Sequence, residues 1–111
     1  MTTLKRIQLW ARFRAAGPWI TRFTIDERIY GGWYEAATDP RLQWFSEAFP
    51  HASRVLELGA LEGGHTLGLS RLPHVQKLVA IEGRSDNLRR ARLVQNLLNF
   101  PAEFLQADLE Q

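Results

Sequence analysis

Arg54-Val55-Leu56-Glu57-Leu58-Gly59-Ala60-Leu61-Glu62-Gly63-Gly64-His65-Thr66 is the stretch on which the reading of the fold turns. It opens as a short apolar run of strand character, breaks at Gly59, and enters a helical pattern at Thr66 that reaches Leu72 and stops at Pro73. Lys77 to Ile81 reads as a second, buried-type strand. Ser85 is placed to cap a long helix, with Asp86 favourable in the first turn. Leu88, Ala91, Val94 and Leu98 form that helix's buried stripe, and Arg89, Arg90 and Arg92 fall largely outward. Asn99-Phe100-Pro101 closes it, and Ala102 to Ala107 reads as a third strand. Strands alternating with helices at this spacing predict an α/β chain with a parallel sheet and right-handed crossovers.

In an open parallel sheet, ligands bind beyond the carboxyl ends of the strands. Three features coincide there: Glu57 with its glycine loop, Glu82 at the end of the second strand, and Asp108 at the end of the third. Glycines at a strand-to-helix turn let the backbone bend sharply and let a ligand lie against it. A phosphate-binding P-loop needs lysine where His65 stands, and a dinucleotide fingerprint needs glycine where Leu61 stands. An acid at the second strand's end, here Glu82, can accept hydrogen bonds from both hydroxyls of a ribose, which fits any adenosine ligand.

Val55-Leu56-Glu57-Leu58-Gly59-x-x-x-Gly63-Gly64, Val79-Ala80-Ile81-Glu82-Gly83 and Phe104-Leu105-Gln106-Ala107-Asp108 together resemble the first three motifs of class I S-adenosylmethionine-dependent methyltransferases. The resemblance covers roughly residues 53 to 111; Leu61 departs from it, standing where many members have glycine. It implies a Rossmann-like doubly wound sheet, incomplete, with its first three strands in the order 3-2-1. It also implies S-adenosyl-L-methionine as cofactor and methyl transfer as the activity. Gly59, Ala60 and Gly63 would pass under the methionine part, with Glu57 near its amino group. Glu82 with Gly83 would bind the ribose, and Asp108 with Leu109 would border the adenine.

Residues 1–52 form a leader that holds all four tryptophans, Trp10, Trp19, Trp33 and Trp44. Leu4, Ile7, Trp10 or Ala11, and Arg14 follow helical spacing up to Gly17-Pro18. Arg22 to Tyr30 reads as two short strands around a turn, and Asp39-Pro40 as the start of a further helix with Leu42, Phe45 and Phe49 on one face. Ile29-Tyr30-Gly31-Gly32-Trp33-Tyr34 resembles a segment that some bacterial members carry before the first motif, which implies contact of Tyr30 or Tyr34 with the ligand; packing as core or lid is the equal alternative. His51, His65 and His74 lack metal-ligand spacing, read as surface or turn histidines, and leave no metal site expected.

The chain has 111 residues, 45% of them hydrophobic and 23% charged, as in a soluble globular protein. With no cysteine it has neither a disulfide framework nor a thiolate metal site, which agrees with a cytoplasmic location. No apolar run is long enough to span a membrane. The net charge of +2 is too small to argue for nucleic acid, though Lys5, Arg6, Arg12, Arg14 and Arg22 all precede the first acid, Asp26. The methyl acceptor, a small molecule or RNA, is not legible, and no catalytic residue is nominated: in the resembled family those residues lie mostly beyond the third strand. The chain reads as a fragment, so the isolated chain is expected to be inactive. A missing fourth strand would leave Val55 to Leu58 as an open apolar edge, available to a second copy or a completing chain. Two alternatives remain: a non-catalytic interaction module on the same fold, and an NAD-dependent oxidoreductase fragment.

Overall fold

The computed structural model describes residues 1–110; Gln111, the last residue of the expected 53–111 unit, lies outside the described residues. Its elements are α1 (Thr3–Ala16), β1 (Arg22–Ile25), β2 (Arg28–Gly31), a 3-10 turn (Ala36–Thr38), α2 (Pro40–Ala48), β3 (Arg54–Leu58), α3 (Gly64–Ser70), β4 (Lys77–Glu82), α4 (Ser85–Leu98) and β5 (Glu103–Gln106). β1 and β2 form an antiparallel hairpin, and β3, β4 and β5 form a parallel sheet with β4 in the middle. A three-stranded parallel sheet with connecting helices is a partial Rossmann-like α/β fold.

The two faces of that sheet differ. Leu78, Ala80 and Glu82 alternate along β4 and are buried, packed with Leu88, Ala91 and Val94 of α4 and Leu67 of α3. On the opposite face, the register aligns Leu56 with Val79 and Leu58 with Ile81 and Leu105. Leu56, Leu58 and Leu105 are 59%, 61% and 43% exposed. Parallel sheets are normally covered on both faces, so a whole apolar face is bare here, and β3 pairs on one side only among the described residues.

Several local expectations are corrected. Ser85 is the first residue of α4 rather than its cap; Arg84 takes the cap position and its N–H donates to Glu82 Oε2 at 2.9 Å. Arg90 and Arg92 do not simply face water. Arg90 Nε donates to the Ala16 carbonyl at 2.6 Å, fastening the end of α1 to α4, and Arg92 donates to the Phe104 carbonyl at 3.2 Å. α3 spans Gly64–Ser70 and not Thr66 to Leu72, because the Arg71 N–H already bonds in 3-10 fashion to Gly68.

In the leader, α1 buries Leu9 and Phe13, an i, i+4 pair, while Leu4, Ile7 and Trp10 are more than half exposed. Phe13 is drawn inward by an aromatic cluster with Trp19, Tyr30 and Phe23, ring centroids 4.9, 5.2 and 6.0 Å away. Tyr30 is therefore a core residue, 7% exposed. The hairpin turn sits on Asp26 and Glu27, both at positive φ, as tight two-residue turns between twisted strands require. Asp39 caps α2 by accepting from the Arg41 N–H, with Pro40 at the first helical position. Phe49 of its expected apolar face remains 60% exposed.

Candidate functional site

The loop between β3 and α3 is the centre of the site. Its shape depends on three positive φ angles, at Gly59 (78°), Leu61 (51°) and Gly63 (86°). The first two residues after the strand fold back onto β4: the N–H groups of Gly59 and Ala60 both donate to the Ile81 carbonyl at 2.9 Å. Leu61 is the strained member, since only glycine adopts that conformation freely. Its N–H is held by Glu82 Oε1 at 2.8 Å. The two turn glycines serve different purposes. A Cβ on Gly63 would lie 3.2 Å from Ala91 Cβ, so Gly63 permits close packing on α4, whereas a Cβ on Gly59 would meet nothing within 4 Å. Gly59 thus presents bare backbone to open space at the carboxyl end of β3.

Two acids border that space. Glu57, half-buried in β3, accepts a hydrogen bond from the Thr66 hydroxyl. Burial pushes its carboxyl above the usual range and Glu82 adds repulsion, while Thr66 and the nearby His65 pull the other way. An ammonium brought to Glu57 would offset both effects by its opposite charge. Glu82 is 5% exposed and joins two loops, taking the Leu61 N–H on Oε1 and the Arg84 N–H and Asn87 amide on Oε2. Oε1 therefore keeps a free lone pair for a hydroxyl. Asp108 is at the end of β5, exposed, and accepts from the Glu110 N–H at 2.9 Å. Leu109 is 52% exposed beside it, and a Cβ on Gly83 would stand 3.2 Å from the Ala107 carbonyl oxygen.

Other contacts at the site carried no signal in the sequence. Glu62, in the middle of the glycine loop, is 3% exposed and accepts hydrogen bonds from the backbone N–H groups of Ile20 and Thr21, 42 and 41 residues earlier. Asp39, the cap of α2, also accepts from the Tyr34 hydroxyl, from His65 Nε2 at 3.0 Å and from the Arg41 guanidinium at 2.6 Å. Arg41 foremost, then Tyr34 and His65, hold the Asp39 carboxyl well below the usual carboxylate range. His65 is thus a bonded member of a four-residue network and not a free surface histidine. His74 is bonded too, to Ser46 and the Ala52 carbonyl. Of the two leader tyrosines, Tyr34 stands at this network beside the glycine loop and Tyr30 does not.

No protein-family model matches the chain, and no curated protein matches it significantly. Solved structures do. The chain is similar to EvdMO1 at 37% identity with a TM-score of 0.83, over 100% of this chain and 26% of that one. It is similar to the N-terminal domain of EvdMO1 solved with SAH bound, at 37% identity and a TM-score of 0.82, over 96% of this chain and 47% of that one. The same domain was also solved in the presence of SAH and D-fucose. A structure from work on the conversion of a disulfide bond into a thioacetal group in echinomycin biosynthesis matches at 20% identity and a TM-score of 0.58, which bears on the fold alone. The chain therefore spans about a quarter of EvdMO1 and about half of the matched N-terminal domain chain.

Proposed function

We propose that this chain is the cofactor-binding front portion of an S-adenosylmethionine-dependent methyltransferase. The observation that carries the reading is Gly59: bare backbone at positive φ, facing open space at a strand end, between Glu57 and Glu82. The likeness to a domain solved with SAH, over nearly the whole chain at 37% identity, supports it. Gly59 forms the exposed floor under the methionine part, Ala60 and Gly63 shape the loop from beneath it, and Glu57 receives its ammonium. Glu82 Oε1 takes a ribose hydroxyl with Gly83 alongside, and Asp108 and Leu109 border the adenine. The cofactor's sulfonium supplies an already activated methyl group, so these residues bind and orient rather than activate.

Calorimetric titration with S-adenosylhomocysteine (SAH) and NADH side by side tests the reading. SAH is expected to bind and NADH not, because Leu61 stands where a pyrophosphate needs glycine. Tighter binding of NADH overturns it. One observation favours a second reading, an interaction module: the bare face of Leu56, Leu58 and Leu105 beside the open edge of β3. That reading requires a stable oligomer or complex by light scattering and no SAH binding.

A further inference from the structure

We infer that Glu62 is a positioning residue, which locks the leader to the glycine loop and makes the leader part of the cofactor site; this rests on the cofactor reading above. Glu62 is 3% exposed and its carboxylate is spent on main chain: Oε1 takes the Ile20 N–H at 3.0 Å and the Thr21 N–H at 2.7 Å, and Oε2 takes the Ile20 N–H at 3.3 Å. A buried carboxylate is stable only when its lone pairs are satisfied, so the loop cannot release these donors without leaving a buried charge unpaired.

The leader carries the connection onward. The Ile20 carbonyl accepts from the N–H groups of Trp33 and Tyr34, the Thr21 carbonyl from Gly32, and the Arg22 N–H donates to the Tyr34 carbonyl. Tyr34 then reaches Asp39 and His65 through its hydroxyl. His65 is three residues after Glu62, so the path closes into a ring: glycine loop, Ile20–Thr21, Tyr34, Asp39, and back to the first turn of α3. Between the two attachment points the surfaces touch directly. A Cβ on Gly64 would lie 2.6 Å from Thr21 Cγ2 and 2.7 Å from Ala36 Cβ, and one on Gly68 would overlap Leu42. The strained Leu61 φ is thus held from one side by Glu82 and from the other, through its neighbour Glu62, by the leader.

Glu62→Gln tests this. The carboxamide oxygen, placed as Oε1, still accepts from Ile20 and Thr21, but an NH2 replaces the second acceptor, Oε2, 3.3 Å from the Ile20 nitrogen, and the charge on the acceptor is lost. In ligand-free protein, amide exchange is expected to quicken both at Ile20 and Thr21 and at Leu61 to Gly64, and SAH to bind roughly 10- to 150-fold more weakly, the range for bonds to a charged acceptor. Glu62→Ala, which offers no acceptor, should be worse on both counts. Faster exchange in the leader with an unchanged loop and full SAH affinity overturns the inference and leaves Glu62 a structural tie. Coupled exchange in a protein that binds no SAH upholds the lock and overturns the cofactor reading instead. If the variants do not fold, the unmodified protein decides: SAH must slow exchange at Ile20 and Thr21, and protection confined to the loop overturns the inference.

Discussion

The two outer strand ends of the sheet are built differently. After β3, the loop is fixed on every side: Ile81 holds its first two N–H groups, Glu82 holds Leu61, and the leader holds Glu62. After β5, Asp108 is exposed and, among the described residues, accepts from the Glu110 N–H of its own turn, and Leu109 is half exposed. A preorganised loop loses little freedom when a ligand arrives, whereas a loose one must be ordered by it. On the proposed cofactor reading, the braced loop after β3 should therefore be the part of the site most sensitive to substitution.

Substitutions rank this contrast. Gly59→Val is expected to have the largest effect, a loss of SAH affinity of at least about 100-fold by calorimetry, because a β-branched side chain both strains φ at +78° and fills the space a ligand needs. Glu82→Ala comes next. It removes the acceptor of Leu61 and Arg84, so SAH binding should weaken by about 1.5–3 kcal/mol. The midpoint of ligand-free thermal unfolding should fall in the same variant.

A smaller effect concerns pH. Burial raises the Glu57 carboxyl above its unfolded value, so its ionisation opposes folding as pH climbs from the unfolded to the folded pKa. A bound ammonium favours the ionised form and lowers the carboxyl pKa in the complex, hence SAH affinity should increase with pH up to the raised pKa of the ligand-free protein and level off above it. Glu57→Gln should flatten the profile, and an unchanged slope would move the ammonium elsewhere. Asp108→Ala should matter least, below about tenfold in affinity, since that exposed carboxylate is engaged by the Glu110 N–H of its own turn. A larger loss there than at Glu82 would invert the contrast between the two strand ends.

The β-α-β-α-β half was legible because its information is local. Short apolar runs, the stripe of Leu88, Ala91 and Val94, and glycines at a strand end each speak within a few residues. What was illegible depends on distant partners. Nothing local marks Glu62, and only the fold brings it to Ile20 and Thr21. His65 looked free because its partner, Asp39, already had a sufficient local role as a helix cap. Which face of α1 is buried was decided by Phe23 and Tyr30 of the hairpin, so the helix could be recognised while its orientation could not. Ser85 misled for another reason: the helix starts one residue earlier than its capping chemistry suggests, with Arg84 at the cap and its N–H turned back to Glu82.

The tie between Glu62 and the leader also sets an order of events during synthesis on the ribosome. Ile20 and Thr21 are made first, yet their acceptor lies 42 and 41 residues downstream. At elongation rates of about 5–20 residues per second, the two amides wait roughly 2–8 s before Glu62 is even polymerised. The partners already made by then are the aromatic cluster of Phe13, Trp19, Phe23 and Tyr30 and the main-chain bonds of residues 20–22 to 32–34. The nascent leader is thus a pre-assembled half-socket, and the arrival of one carboxylate turns it into the wall of a binding site.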